Sequence, residues 1–130
     1  MNQSELLYKN CEEILRSYFG EKSIGYAQTL YRLGYLYMRK NEIQRAEDSF
    51  KQALSIFQKK DHVDAFYCYE YLGDLYHKMK KPRQAVENYV LAFKTLKKRN
   101  FPNNSVHIIR LKAKIPVLQR CLLFIKHFHL

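Results

Sequence analysis

Residues 30–54 read LYRLGYLYMRKNEIQRAEDSFKQAL, and residues 69–93 read YEYLGDLYHKMKKPRQAVENYVLAF. A constant shift of 39 positions aligns six pairs of identical or similar residues between the two stretches. The matched pairs are Leu33 and Leu72, Gly34 and Gly73, Tyr37 and Tyr76, Ala46 and Ala85, Phe50 and Tyr89, and Ala53 and Ala92. This self-similarity indicates an internal repeat, in which copies of one small structural unit stack on each other.

Each copy has the pattern of two helices separated by a short polar break. In the first copy Ala46, Phe50 and Ala53 recur at i, i+4 and i+7, which places them on one apolar helix face. The breaks read KNE at 40–42 and KKPR at 80–83, and the proline of the second break suits the first turn of a helix. The sequence therefore predicts two helix pairs. Its two aligned glycines are expected where neighbouring helices approach closely.

The succession L-G-x2-Y, A-x3-F and a further small residue resembles the tetratricopeptide repeat. Both copies match these positions, with Tyr89 in place of Phe in the second, although the leading Trp-like position holds Leu30 and Tyr69. The offset of 39 exceeds the usual period of about 34. Together with the segment KSIGYAQTL, this longer period resembles kinesin-light-chain-type repeats and those of bacterial peptide-sensing regulators, and the residues leave the choice between them open.

The resemblance implies an all-α fold, a right-handed α-solenoid of stacked antiparallel helix pairs with about six helices. The whole chain is then one domain, and its predicted parts follow the repeat boundaries. They are a half repeat at 4–19, repeats at 23–58 and 62–98, and an incomplete or capping repeat at 104–128.

The last of these parts departs most from the pattern. Pro116 falls where the first copy has Gly34, so a kink or break is expected there. The segment 106–130 has no acid and many aliphatic residues. We expect it to dock as an imperfect cap on the helix of residues 83–98, against its apolar residues Val86, Val90 and Phe93. Self-association through this segment is a second expectation. The aliphatic residues expected to be buried are Ile108, Ile109, Leu111, Ile115, Leu118, Leu122, Leu123 and Ile125.

The resemblance also implies a function, namely that of a non-catalytic interaction module, adaptor or scaffold. In this family the first helix of each pair lines a concave groove that holds a peptide or helical segment of a partner protein. Transferred position by position, the predicted groove residues are Gln28, Tyr31, Tyr35, Met38, Arg39, Tyr67, Glu70, Asp74, His77 and Lys78. Two known ligand types are not expected, because the positions of a carboxylate clamp and of backbone-binding Asn pairs hold other residues.

Charge provides an alternative function. The net charge is +11, and residues 88–130 contain nine Lys and Arg and no acid. Such a field favours an acidic partner, and it would also attract nucleic acid or an anionic membrane, which we rank lower because no recognition motif accompanies it. The predicted basic patch is formed by Lys97, Lys98, Arg99, Arg110, Lys112 and Lys114.

Motifs for catalysis, cofactors or metals are missing from the sequence. There is no Gly-rich phosphate loop, no HExxH and no paired Cys/His spacing, so we expect no enzyme activity, no cofactor and no metal site. His127 and His129 form only a two-histidine tail. The three cysteines are far apart in sequence, and no apolar stretch reaches the length of a membrane span. A cytoplasmic protein with reduced thiols is expected.

Overall fold

The computed structural model describes residues 2–115, and this range is helical apart from its turns and loops. The helices are α1 (Gln3–Phe19), α2 (Ile24–Arg39), α3 (Ile43–Lys59), α4 (Ala65–Lys78), α5 (Pro82–Lys98) and α6 (Val106–Lys114). No strand occurs within residues 2–115. The predicted all-α class is confirmed, and both polar breaks lie between helices as predicted.

The helices form a stack of antiparallel pairs. Helix α2 packs on α3 and α4 packs on α5, and each pair is joined by a tight turn of three residues. The two pairs meet mainly through α3 and α4, with α2 also touching α4. Helix α1 covers one end of the stack against α2, while α6 packs on α5 at the other end. The predicted α-solenoid architecture is therefore confirmed.

The turns repeat with the same offset as the sequence. Asn41 and Lys80 have a positive φ and follow the first helix of each pair. Asp61 and Asn100 also have a positive φ, and they follow the second helix of each pair. At Asn41 the next amide, that of Glu42, donates to the Tyr37 carbonyl at 2.9 Å, which closes the helix end. Glycine usually fills such left-handed positions, so the sequence did not reveal them.

Close approach within each pair depends on the aligned glycines. A Cβ atom on Gly34 would lie 2.7 Å from the Phe50 ring, and one on Gly73 would lie 2.6 Å from the Tyr89 ring. Both distances are far below van der Waals contact. The prediction that these glycines are close-contact positions is confirmed. Each glycine makes room for the aromatic residue of the second helix.

Helix α6 ends at Lys114, and Ile115 has an extended backbone with ψ of 110°. This conformation is the one that a following proline favours. Pro116 and the predicted cap residues 118–125 lie outside the described residues. Within α6, Ile108 and Leu111 are fully buried, as the cap prediction required. Ile109 was wrongly included, because its side chain points to solvent and is 55% exposed.

Adding a methyl group at either glycine is expected to destabilise the fold. Gly34→Ala and Gly73→Ala should each lower the free energy of unfolding by about 1–3 kcal/mol, because the facing ring has to move in a closely packed interior. Gly25→Ala is the matched control, since its Cβ would meet Leu15 at an ordinary 3.4 Å. Urea denaturation measures all three. Parent-like midpoints for both Gly34→Ala and Gly73→Ala would contradict the packing described here.

Candidate functional site

The first helices of three successive units line an open hollow of about 460 Å³. Helix α2 contributes one lining residue, α4 contributes four and α6 contributes three. The residues that line the hollow are Tyr35, Tyr67, Glu70, Tyr71, Asp74, His107, Arg110 and Lys114. The hollow thus brings part of the predicted groove together with part of the predicted basic patch.

Tyrosine rings form the floor of the hollow. Tyr71 lies between Tyr35 and Tyr67, with ring centroids 5.3 Å and 6.4 Å away. Tyr31 lies beneath them and stacks on Tyr67 with centroids 5.3 Å apart and planes 13° from parallel. Burial raises the pKa of both Tyr31 and Tyr71 to about 12, so these hydroxyls stay neutral at physiological pH. The floor is therefore an uncharged and closely packed aromatic surface.

Glu70 is the most unusual polar residue of the wall, because it is only 2% exposed. Arg110 binds its carboxylate with two hydrogen bonds, from Nε to Oε2 at 2.7 Å and from Nη2 to Oε1 at 2.8 Å. Lys114 Nζ lies 2.6 Å from Oε2. Burial alone would raise the pKa of Glu70, but the hydrogen bonds from the two cations outweigh it, and the pKa is lowered. The carboxylate therefore remains ionised and ties α6 to α4.

Asp74 lies one turn after Glu70 and is held from two sides. Its Oδ1 accepts a hydrogen bond from the Tyr89 hydroxyl at 2.6 Å, and its Oδ2 accepts one from Lys114 Nζ at 3.0 Å. Burial, followed by the hydrogen bond to Asp74, raises the pKa of Tyr89, which keeps that hydroxyl protonated as a donor. The ring that fits against Gly73 thereby also positions a carboxylate in the wall of the hollow.

His107 closes the end of the hollow near α6. Its ring lies among aromatic residues, with centroids 4.9 Å from Phe66, 5.9 Å from Tyr67 and 6.3 Å from Phe101. Its Nδ1 is 2.9 Å from Arg110 Nη2. An arginine can only donate, so Nδ1 accepts and the ring is neutral. Burial and the Arg110 charge both lower the pKa of His107.

Four of the predicted groove residues line the hollow, namely Tyr35, Tyr67, Glu70 and Asp74. Two others are corrected by the structure. Tyr31 is 5% exposed and Met38 is 8% exposed, so both side chains belong to the core below the surface. For Tyr31 the cause is the next repeat, whose Tyr67 and Tyr71 rings cover it.

The remaining predicted groove residues lie outside the hollow. Gln28 donates from Nε2 to Asp64 Oδ2 at 3.0 Å. Lys78 donates from Nζ to the Met38 carbonyl at 3.0 Å, and His77 is exposed. Arg39 is also exposed, and its guanidinium lies over the Tyr35 ring, 5.8 Å from the centroid. Arg39 therefore lies beside a lining residue.

The six cations of the predicted basic patch contact different parts of the chain. Arg110 and Lys114 face the hollow. Lys98 and Arg99 pair with Asp61, and Lys97 Nζ donates to the Phe101 carbonyl and to Asn103. Lys112 Nζ lies over the Phe93 ring, 5.8 Å from its centroid. Each of the six cations therefore has a contact within the chain, and only two of them line the hollow.

Sequence reasoning missed Tyr71 and His107. No local sequence pattern distinguishes either residue. The ion pairs of the hollow, by contrast, could have been predicted from the spacing of their acids and bases. Glu70 and Asp74 are one helical turn apart, as are Arg110 and Lys114, and each acid precedes its base by 40 residues. This separation is one more than the repeat offset, so acids on one first helix face bases on the next.

The polar groups of the hollow are arranged for binding a ligand. The carboxylates of Glu70 and Asp74 are engaged by Arg110, Lys114 and Tyr89. Within residues 2–115, no three His, Cys, Asp or Glu side chains are grouped so that they could hold a metal ion. Over the same range, no helix has both the length and the apolar character of a membrane span.

Residues 1–59 match the family model described as tetratricopeptide repeat. No curated protein matches the chain. Among solved structures it is similar to BtubC (BKLC) from P. vanneervenii, with a TM-score of 0.73 and 19% sequence identity over 85% of this chain and 45% of that one. The present chain thus spans less than half of that protein, and a likeness at this identity shows the fold alone.

Acidification should weaken the fold through His107. Its pKa is lowered in the folded state, so the stabilisation that depends on the neutral ring is present above the unfolded pKa near 6.5. That stabilisation is lost as the pH falls through the lowered folded value. Denaturation at pH 7.5 and 5.5 should show a larger loss of stability for the parent than for His107→Gln. Equal losses in the two proteins would contradict the role given to this ring.

Proposed function

We propose that the chain is a tetratricopeptide-repeat protein, and that it is an interaction module whose hollow binds an acidic peptide segment of a partner protein. Repeats of this family generally mediate protein–protein interaction. The observation that carries the proposal is the hollow itself, which joins three successive first helices and combines an aromatic floor with charged walls. Its volume of about 460 Å³ lies within the range of small binding pockets.

The floor favours an apolar or aromatic anchor on the ligand. Tyr35, Tyr67 and Tyr71 offer large rings that neighbouring rings already hold in place. Tyrosine provides contact area at low entropic cost, and a floor that is ordered before binding loses little further freedom. A single aromatic or aliphatic side chain of a peptide is therefore the fitting occupant of the floor.

The walls favour an acidic ligand, because their cations are more accessible than their anions. In the central pair the Arg110 side chain is 37% exposed while that of Glu70 is 3% exposed. Lys114 retains 28% exposure, and Arg39 adds an exposed cation beside Tyr35. Glu70 is thus shielded from a ligand by the guanidinium that binds it. A carboxylate on the peptide can approach Arg110 and Lys114 from the open side.

The alternative function is binding of nucleic acid or an anionic membrane by the basic patch. Its supporting observation is the acid-free run of residues 88–130. The ion pairs of Lys98 and Arg99 with Asp61 are exposed. Asp61 would therefore compete only weakly with a phosphate group for these two cations. The adaptor function is favoured because the hollow adds shape and an aromatic floor to the charge.

The test uses a fluorescein-labelled acidic decapeptide with one central phenylalanine, measured by fluorescence anisotropy. Tyr35→Ala should weaken its binding about tenfold, because an interface anchor is removed. Tyr18→Ala is the matched control, since this tyrosine lies on α1 away from the hollow and is 80% exposed. The same peptide with Gln and Asn in place of its acids should also bind more weakly.

Salt dependence separates the two functions. A single-stranded DNA oligonucleotide and vesicles containing phosphatidylserine serve as the competing probes. Binding through the basic patch would fall steeply with salt, whereas anchoring in the hollow should change far less. Tight, salt-sensitive DNA or vesicle binding that is unchanged by Tyr35→Ala, together with no peptide binding, would contradict the adaptor proposal.

A further inference from the structure

The fixed charges in the wall of the hollow cancel. Two carboxylates, Glu70 and Asp74, face two cations, Arg110 and Lys114. They are paired with each other, since Lys114 contacts both carboxylates and Arg110 binds Glu70. Among the lining residues, His107 is the one whose charge can change near neutral pH. Protonation of this ring would therefore change the wall from neutral to singly positive.

Groups from three elements surround the His107 ring. They come from α6, from α4 and from the loop between α5 and α6, and they are Arg110, Glu70, Phe66, Tyr67 and Phe101. A cation of α5 lies on the loop side, because Lys97 Nζ donates to the Phe101 carbonyl. The ring is half-buried and lines the hollow, so both a bound ligand and protons from solvent can reach it.

Without a ligand, these surroundings favour the neutral ring. Burial disfavours a charge at this position, and the Arg110 guanidinium is a like charge whose Nη2 lies 2.9 Å from Nδ1. Glu70 acts in the opposite sense, but its carboxylate is already bound by Arg110 and Lys114. The pKa of His107 is therefore lowered, and the ring is neutral at pH 7.5.

A carboxylate bound in the hollow would reverse this preference. A ligand group on the open side of Arg110 lies close to the ring that contacts the same guanidinium. An opposite charge within about 4–6 Å favours the protonated form of a histidine. Nδ1 of the free protein faces an arginine, which cannot accept a hydrogen bond, whereas a carboxylate accepts from both groups.

On the basis of the peptide binding proposed above, we propose that His107 takes up a proton when the hollow binds an acidic segment. Binding and protonation are then linked, and each strengthens the other by the same factor. Acidic partners are held more tightly at low pH and are released as the pH rises. The linkage requires an acid on the ligand, so a neutral peptide gains nothing from it.

The linkage has the opposite sign to the effect of acid on the free protein. Without a ligand, protonation of His107 weakens the fold, because the ring can no longer accept from Arg110. In the complex the ligand carboxylate offsets that loss. A general loosening of the fold at low pH would weaken peptide binding, whereas the linkage strengthens it. The direction of the change therefore separates the two effects.

Fluorescence anisotropy at pH 7.5 and 5.5 tests the proposal with the acidic decapeptide, which carries a rhodamine label because fluorescein titrates in this range. The parent should bind about fivefold more tightly at pH 5.5, the gain expected from one opposite charge near a histidine. His107→Gln should change less than twofold, and the peptide with Gln and Asn in place of its acids should show no gain. His77→Gln is the matched control and should keep the gain, because this exposed histidine of α4 lies outside the hollow.

Proton NMR measures the linkage in the parent without any substitution. The Cε1 proton of His107 should titrate at a higher pH when the protein is saturated with the acidic peptide. Equal or weaker binding at pH 5.5, a gain that persists in His107→Gln, or a His107 titration that the peptide does not move would overturn this inference and leave the adaptor proposal intact. Absence of peptide binding at both pH values would overturn both proposals.

Discussion

A carboxylate that is removed from water needs a cationic partner, and this requirement at Glu70 determines how the last described helix sits on the stack. Glu70 is 2% exposed and remains ionised because Arg110 and Lys114 both bind it. Losing one partner of a buried ion pair is far more costly than losing a surface pair. Helix α6 is short, and its apolar contribution to the core within residues 2–115 is limited to Ile108 and Leu111. The ion pairs therefore add the directional contacts that fix its orientation.

This constraint connects the fold to the proposed function. The cations that hold α6 in place also form the open wall of the hollow, and Lys114 joins Glu70 to Asp74. Asp74 is held from behind by Tyr89, whose ring is the one that fits against Gly73. The small residue of the repeat motif, the packing of α4 on α5 and the charged wall are thus linked through a few side chains. A substitution at one of these side chains should therefore shift the positions of the others.

The sequence predicted the helix pairs and the two close-contact glycines because a repeat fixes which residues face the partner within one unit. It predicted the candidate site less well, since the hollow depends on how successive units are rotated against each other. Tyr31 was expected in the groove and is instead covered by rings of the next repeat. Glu70 was expected at the surface and is buried by residues 40 positions later. His107 could not be identified because its aromatic surroundings come from another helix and a loop.

The ion pair between Glu70 and Arg110 is the central element of this account, and a double-mutant cycle measures it most directly. Free energies of unfolding would be compared for the parent, Glu70→Gln, Arg110→Met and the double variant. We expect a favourable coupling of at least about 1 kcal/mol, so that the double variant is less destabilised than the two single changes together. The exposed pair Glu42 and Arg45, changed in the same way, should give additive effects. Additivity at Glu70 and Arg110 within about 0.3 kcal/mol would contradict the account.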